Sequence, residues 1–241
     1  VSAVVARLAN GAPAAGLSSG SAPEAGPDAL AGLTQDGGGS VVDLRLGKGH
    51  LWERDGAAAG VAAIERACVG VAFVGVGWTL GASPIRPPRL LAGRPTKVFV
   101  TTRPDKGVVI EQLALADEAG CPLWVETHRG GPTPSELAEL AEQTGVGIVV
   151  DLLGLRETAP GCTLATLAAL APHVRAVQVK GIAPSLDGYV HRSLQSEDLA
   201  TVHTLLELAA PIVAVTVESR AGTPVSDLKV LNNSLGNAVV D

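Results

Sequence analysis

CPLWVETHRGGPTPSELAELAEQTGVGIVVD, residues 121–151, reads as a strand, a helix and a second strand. LWVETH and VGIVVD are short apolar runs rich in Val and Ile, with none of the polar alternation of a half-exposed strand. That pattern belongs to parallel strands buried on both faces. Between them Thr133 and Pro134 form an N-cap and first-turn pair, and Gly145 supplies the stop of a helix over TPSELAELAEQTG. Each run ends on an acid, Glu126 and Asp151. VRAVQVK (174–180) and VAVTVES (213–219) repeat the form and close on Gln178 with Lys180 and on Glu218.

Outward from this unit the chain alternates strand and helix with short Gly- and Pro-marked joints, the pattern of repeated βα units. Strands are expected near 14–19, 40–46, 69–76, 96–102, 122–128, 146–151, 174–180 and 211–218. Helices follow over DGAAAGVAAIERAC (55–68) and KGVVIEQLALADEAG (106–120) as well as 133–145. The expectation is one α/β domain over residues 1–241, a (β/α)8 barrel, a fold that typically takes about 250 residues. WTLGASPIRPPRLLAGRPT (78–96) holds too many prolines for a full helix and predicts an irregular third crossover. The first 35 residues are weakly patterned, so the first unit is the least defined.

The chain has 241 residues, is 46% hydrophobic and carries a net charge of −6, with no basic stripe. A large core follows, and nucleic-acid binding does not. No apolar stretch reaches the roughly 20 residues of a membrane span, and the opening segment makes a poor signal peptide, so a cytoplasmic protein is expected. Cys68, Cys121 and Cys162 are far apart and odd in number, which suits small core residues better than disulfides. GVAFVGVG lacks the helix and acid of a dinucleotide site, and GxSxG, Walker, HExxH and paired CxxC motifs are absent.

Residues two apart on a strand share a face, so polar pairs at strand ends should point into the barrel mouth, where such folds place their chemistry. The pairs are Asp43 with Arg45, Thr101 with Arg103, Glu126 with His128, Gln178 with Lys180, and Glu218 with Arg220; Asp151 stands alone. Any single pair could be a salt bridge at a strand end, but five on one rim point to a site. Glu126, Asp151 and Glu218 buried together demand a cation or raised pKa values. With Gln178 they form an all-oxygen set suited to one Mg²⁺ or Mn²⁺. His128 is a candidate acid/base. Lys180, Arg45, Arg103 and Arg220 suit a small anionic or polyhydroxylated substrate. GIAPSLDGYVHRSL (181–194), with Tyr189 and His191, reads as a flap over the mouth or as a plain surface loop.

The order of Glu126-Thr127-His128, Asp151, Val177-Gln178-Val179-Lys180-Gly181 and Glu218-Ser219-Arg220 resembles the xylose isomerase-like TIM-barrel superfamily over about the last two thirds of the chain. The resemblance implies one divalent metal on Glu126, Asp151, Gln178 and Glu218. It further implies isomerisation or epimerisation of a sugar-like hydroxy-ketone through an enediolate, with Glu126 and Glu218 as bases and Lys180 polarising the carbonyl. Gln178 stands where the epimerase branch has His, and Gly154 where it has another. Gln178 and His128 are similar to the dehydroshikimate dehydratase pattern, which makes dehydration with His128 as base the alternative, alongside inosose dehydratases. A barrel that binds without catalysis is a third reading, endonuclease action the least supported, and a homodimer a fair expectation for this fold.

Overall fold

The computed structural model describes residues 12–82, 85, 87–186 and 188–237. Its strands are β1 (Ala14–Ser18), β2 (Val41–Arg45), β3 (Gly70–Leu80), β4 (Thr96–Val100), β5 (Leu123–Glu126), β6 (Gly147–Asp151), β7 (Val174–Val179), β8 (Ile182–Ser185), β9 (Gly188–His191) and β10 (Ala214–Val217). β1 to β7 and β10 close a barrel of eight parallel strands; β8 and β9 form a separate antiparallel hairpin. All eight expected strands are present. Around the barrel run α1 (Pro27–Asp36), α2 (Ala57–Arg66), α3 (Lys106–Glu118), α4 (Pro134–Thr144), α5 (Leu152–Thr158), α6 (Leu164–Leu170), α7 (Ala200–Glu207) and α8 (Pro224–Asn237).

The two-residue period of each strand sorts side chains into two cores. One alternate set, such as Val42 and Leu44, Val98 and Val100, Ile148 and Val150, Val177 and Val179, joins the helices in the large outer cluster. The other set points into the lumen. Its lower layer is apolar and holds Ala14, Val41, Phe73, Trp124, Val149, Ala176 and Ala214. One step nearer the C-terminal mouth the same strands carry Asp43, Glu126, Asp151, Gln178 and Thr216, all buried. The lumen therefore changes from hydrocarbon to charge within two residues.

α4 begins as its sequence predicts. The Thr133 hydroxyl accepts from the Glu136 amide, Glu136 reaches back to the Thr133 amide, and Gly145 closes the helix at φ 75°. The third crossover contains one 3-10 turn, Arg89–Leu91, and no α-helix among the described residues. α1 lacked sequence signal because its N-cap is Gly26 with no side-chain bond and it buries only Leu30, Ala31 and Thr34.

Two expectations need correction. Cys121 is buried, but Cys162 is only partly so and Cys68 is exposed, at φ 60° just past the end of α2. β5 stops at Glu126 and β4 at Val100, so the shared-face rule does not extend to His128, nor to Thr101 and Arg103. Within 181–194, read from the sequence as a flap or a plain surface loop, β8 and β9 pair antiparallel as a hairpin. Among the described residues no helix is long and apolar enough to cross a membrane.

Thr133→Ala removes a cap that satisfies helix donors and should lower unfolding free energy by about 1 kcal/mol, read from chemical denaturation.

Candidate active site

Burial of charge governs the mouth of the barrel. Glu126 is 7% exposed, Asp151 4%, Glu218 3% and Gln178 and Asp43 0%, so their charge must be met largely from within the protein. The partners are cations of the chain itself. Lys97, on β4 and 5% exposed, donates to Glu126 Oε1 at 2.8 Å and to Gln178 Oε1 at 2.7 Å. Gln178 Nε2 donates in turn to Asp43 Oδ2 at 3.1 Å. Ser18 donates to Asp43 Oδ1 at 2.7 Å and Thr216 to Oδ2 at 2.5 Å. Across the mouth Lys180 bridges Asp151 Oδ2 and Glu218 Oε2, the latter at 2.9 Å, and Arg45 holds Glu218 Oε1 at 2.5 Å.

Local structure explains these placements. Asp151 ends β6 and begins α5, so its Oδ1 caps the helix by accepting from the amides of Leu153 and Gly154 at 2.9 and 3.0 Å. Gly154 has no room for a side chain, since a Cβ there would lie 2.0 Å from the Thr127 carbonyl oxygen. The missing histidine at 154 thus has a packing cause. Gly75 on β3 gives Lys97 clearance of a milder kind, since a Cβ there would sit 3.1 Å from Lys97 Cε and press on its stem.

The electrostatics are asymmetric. Burial works against ionised Glu218, but Lys180, Lys97 and Arg45 overcome it and hold the carboxyl at about 2. Burial pushes Glu126 up, against the pull of Lys97, and pushes Asp43 up likewise. Both lysines resist burial through their carboxylates and sit above the usual lysine value. Burial lowers His50 and His191, helped by Arg45 and by Lys180 with Arg220 respectively, so both imidazoles favour the neutral form.

A cavity of about 230 Å³ opens over this ring, lined by Arg45, Phe99, Glu126, Asp151, Leu153, Lys180, His191, Glu218 and Arg220. Beside it lies a second hollow of about 680 Å³ that shares Arg45 and Arg220 and adds Lys48, His50 and Glu24. Of the residues singled out in the sequence, Glu126, Asp151, Glu218, Lys180, Arg45, Arg220 and His191 meet in the first cavity, and Gln178 lies beneath it. His128 does not line it: its Nε2 lies 3.2 Å from the Val100 carbonyl oxygen and its ring packs on Phe99. Arg103 is exposed beyond β4, and Tyr189 is 39% exposed on the hairpin. Asp43, expected at the mouth with Arg45, lies buried beneath the ring, and Lys97, Phe99, Lys48 and His50 are members that the strand-end pattern did not mark.

The divalent metal implied by the resemblance does not fit this donor set. Glu126 Oε1 and Gln178 Oε1 converge on an ammonium at distances normal for N–H···O, whereas Mg²⁺ requires about 2.0–2.1 Å. Both oxygens of Asp151 and of Glu218 are bonded as well. A dication about 4 Å from a buried ammonium would be repelled by about 8 kcal/mol at an effective dielectric constant of about 20. Among the described residues no group of three or more His, Cys, Asp or Glu side chains is arranged to hold a metal.

No family model and no curated protein sequence matches the chain. Solved structures do match its fold. A xylose isomerase domain protein from Planctomyces limnophilus superposes with a TM-score of 0.62 at 18% identity, over 93% of this chain and 95% of that one. D-psicose 3-epimerase from Clostridium cellulolyticum H10, solved with D-tagatose, gives 0.59 at 12% identity, over 94% and 95%. A xylose isomerase-like TIM barrel protein from Mycobacterium smegmatis in complex with magnesium gives 0.59 at 14%, over 95% and 98%. The chain has the fold of the xylose isomerase-like TIM barrels.

Lys180→Met removes the one cation shared by two buried carboxylates and should cost about 3–5 kcal/mol of unfolding free energy, against under about 0.5 kcal/mol for exposed Lys48→Met. Gly154→Ala should cost about 1–3 kcal/mol from overpacking, in spite of the helix propensity gained. Denaturant titration of the three variants checks both.

Proposed function

We propose that this protein is an isomerase of a small, anionic, sugar-like hydroxy-carbonyl compound, working by proton transfer between adjacent carbons. The observation that carries this reading is the unequal use of two carboxylates facing one cavity. Glu126 spends only Oε1 on Lys97, while both oxygens of Glu218 are held by Arg45 and Lys180. One carboxylate is left to act as base and the other is a fixed anion that positions cations. The fold, shared with sugar epimerases, is consistent with this class of reaction.

In the proposed step the free oxygen of Glu126 removes the proton α to the carbonyl. The C–H electron pair moves into the carbon skeleton and charge develops on the carbonyl oxygen, giving an enediolate. Lys180 has three N–H donors and uses two on Asp151 and Glu218, so the third can hold that oxygen. The hydroxyl proton passes between the two adjacent oxygens of the enediolate and Glu126 returns its proton to the neighbouring carbon, so that carbonyl and alcohol exchange places and the Glu126 carboxylate is restored. A single base serves a shift between adjacent carbons, whereas inversion at one carbon needs a donor on the opposite face, the part that paired Glu218 cannot readily play. Lys180 stays charged throughout, because the two carboxylates beside it raise its pKa.

Substrate class follows from the outer hollow. Arg45, Lys48 and Arg220 give it three cationic groups against one carboxylate, Glu24, at its edge. Among the described residues Lys48 and Arg220 make no ion pair. A terminal carboxylate or phosphate of the substrate would complete them. Dehydration with His128 as base loses support, since His128 faces the Val100 carbonyl and not the cavity. A barrel that binds such a compound without converting it is the second reading, favoured by the same ion pairs that occupy the ring.

Incubation in deuterated water with a panel of aldose and ketose acids and phosphates should give deuterium exchange at the α-carbon. Glu126→Gln should lower the exchange rate by about 10²–10⁴-fold. Arg220→Met should raise KM by about tenfold or more for anionic substrates with kcat nearly unchanged, as loss of a charge-assisted contact does. Binding without exchange by the unaltered protein would select the second reading.

A further inference from the structure

The ring of Glu126, Asp151, Gln178 and Glu218 demands positive charge, and the chain meets the demand from β4. The register sets Lys97 beside Trp124, two residues below Glu126, so its stem must climb one layer of the lumen to reach the ring. It does so against Gly75, whose missing Cβ leaves the path open. Its Nζ arrives between Glu126 Oε1 and Gln178 Oε1, at 2.8 and 2.7 Å. Gln178 is suited to this arrangement: its oxygen faces the ammonium and its amide nitrogen donates to buried Asp43. The amide thus relays between a cation and an anion without carrying charge itself.

The charges within hydrogen-bond reach also balance closely. Asp43, Glu126, Asp151 and Glu218 face Lys97, Lys180 and Arg45, with Arg220 at the cavity wall. A divalent ion added to this set would leave it with excess positive charge in a buried place.

We propose that the Lys97 ammonium is a built-in substitute for a divalent cation, so that the protein binds no divalent metal at this ring, and that removing the ammonium converts the ring into a divalent-cation site. The donors that would become available are Glu126 Oε1 and Gln178 Oε1, hard oxygens that suit Mn²⁺ or Mg²⁺. What neutralises the ring is independent of the proton transfer proposed above it.

The test is Mn²⁺ binding, followed by the loss of the free-ion electron paramagnetic resonance signal, together with the melting temperature in manganese and in chelator. The unaltered protein should show no saturable uptake up to millimolar Mn²⁺ and no shift in Tm. Lys97→Met should take up about one equivalent and gain Tm on adding the ion, as a ligand that binds only the folded state requires. Lys97→Gln, which keeps a hydrogen-bonding head in the ring, is the second variant should Lys97→Met not fold. Saturable micromolar binding by the unaltered protein that Glu126→Gln abolishes would overturn the substitution. It would leave the proton-transfer reading standing, because deuterium exchange measures that separately. A folded Lys97 variant that takes up no Mn²⁺ would overturn the second half.

Discussion

Four carboxylates are buried at one end of an apolar barrel, and the rest of the site is arranged to make that tolerable. An isolated carboxylate moved from water into such surroundings costs many kcal/mol, and breaking one pair of a buried set costs several. The structure meets this with alternation. Asp43, Gln178, Lys97 and Glu126 form one chain of contacts, and Asp151, Lys180, Glu218 and Arg45 form another. Cations sit between anions throughout, so neighbouring acids are kept from meeting one another unscreened.

The backbone serves the same end. Asp151 belongs both to the ring and to the first turn of α5, so its carboxylate caps a helix while it holds Lys180. Gly154 brings that helix against the strand end, Gly75 lets Lys97 pass, and Gly20 leaves space beside Glu218, where a Cβ would meet Oε1 at 2.7 Å. Loss of any of these small residues would change the position of a charge. Below the ring the Phe73 and Trp124 rings, 6.1 Å apart, fill the floor of the lumen and separate the charged layer from the other end of the barrel.

The barrel was legible because most of its strands announce themselves twice, as short apolar runs and as runs that end in polar residues. VGIVVD and VAVTVES have no other economical reading, and TPSELAELAEQTG carries its own cap and stop. Glu126, Asp151, Gln178, Lys180 and Glu218 were found by the same rule, since each ends or adjoins a strand. Lys97 was passed over because it sits at the second position of its strand, far from the end, where the rule does not look. Period-two alternation in Thr96-Lys97-Val98-Phe99 already placed it on the inner face with Phe99, so the signal was present. His128 failed for the opposite reason. Two-residue parity holds only while the chain is extended, and β5 ends at Glu126. The contacts of the ring itself, above all an ammonium where a metal was expected, depend on a side chain's reach across the lumen and leave no trace in linear spacing.

The central claim is that a charge carried by the chain, and no bound ion, holds this ring together. The most direct measurement is a crystal structure of the unaltered protein grown in manganese, with diffraction collected at the manganese absorption edge. The account predicts continuous density from Lys97 to the point between Glu126 and Gln178, with no anomalous peak there. An anomalous peak about 2.2 Å from those oxygens, with Lys97 displaced, would contradict it.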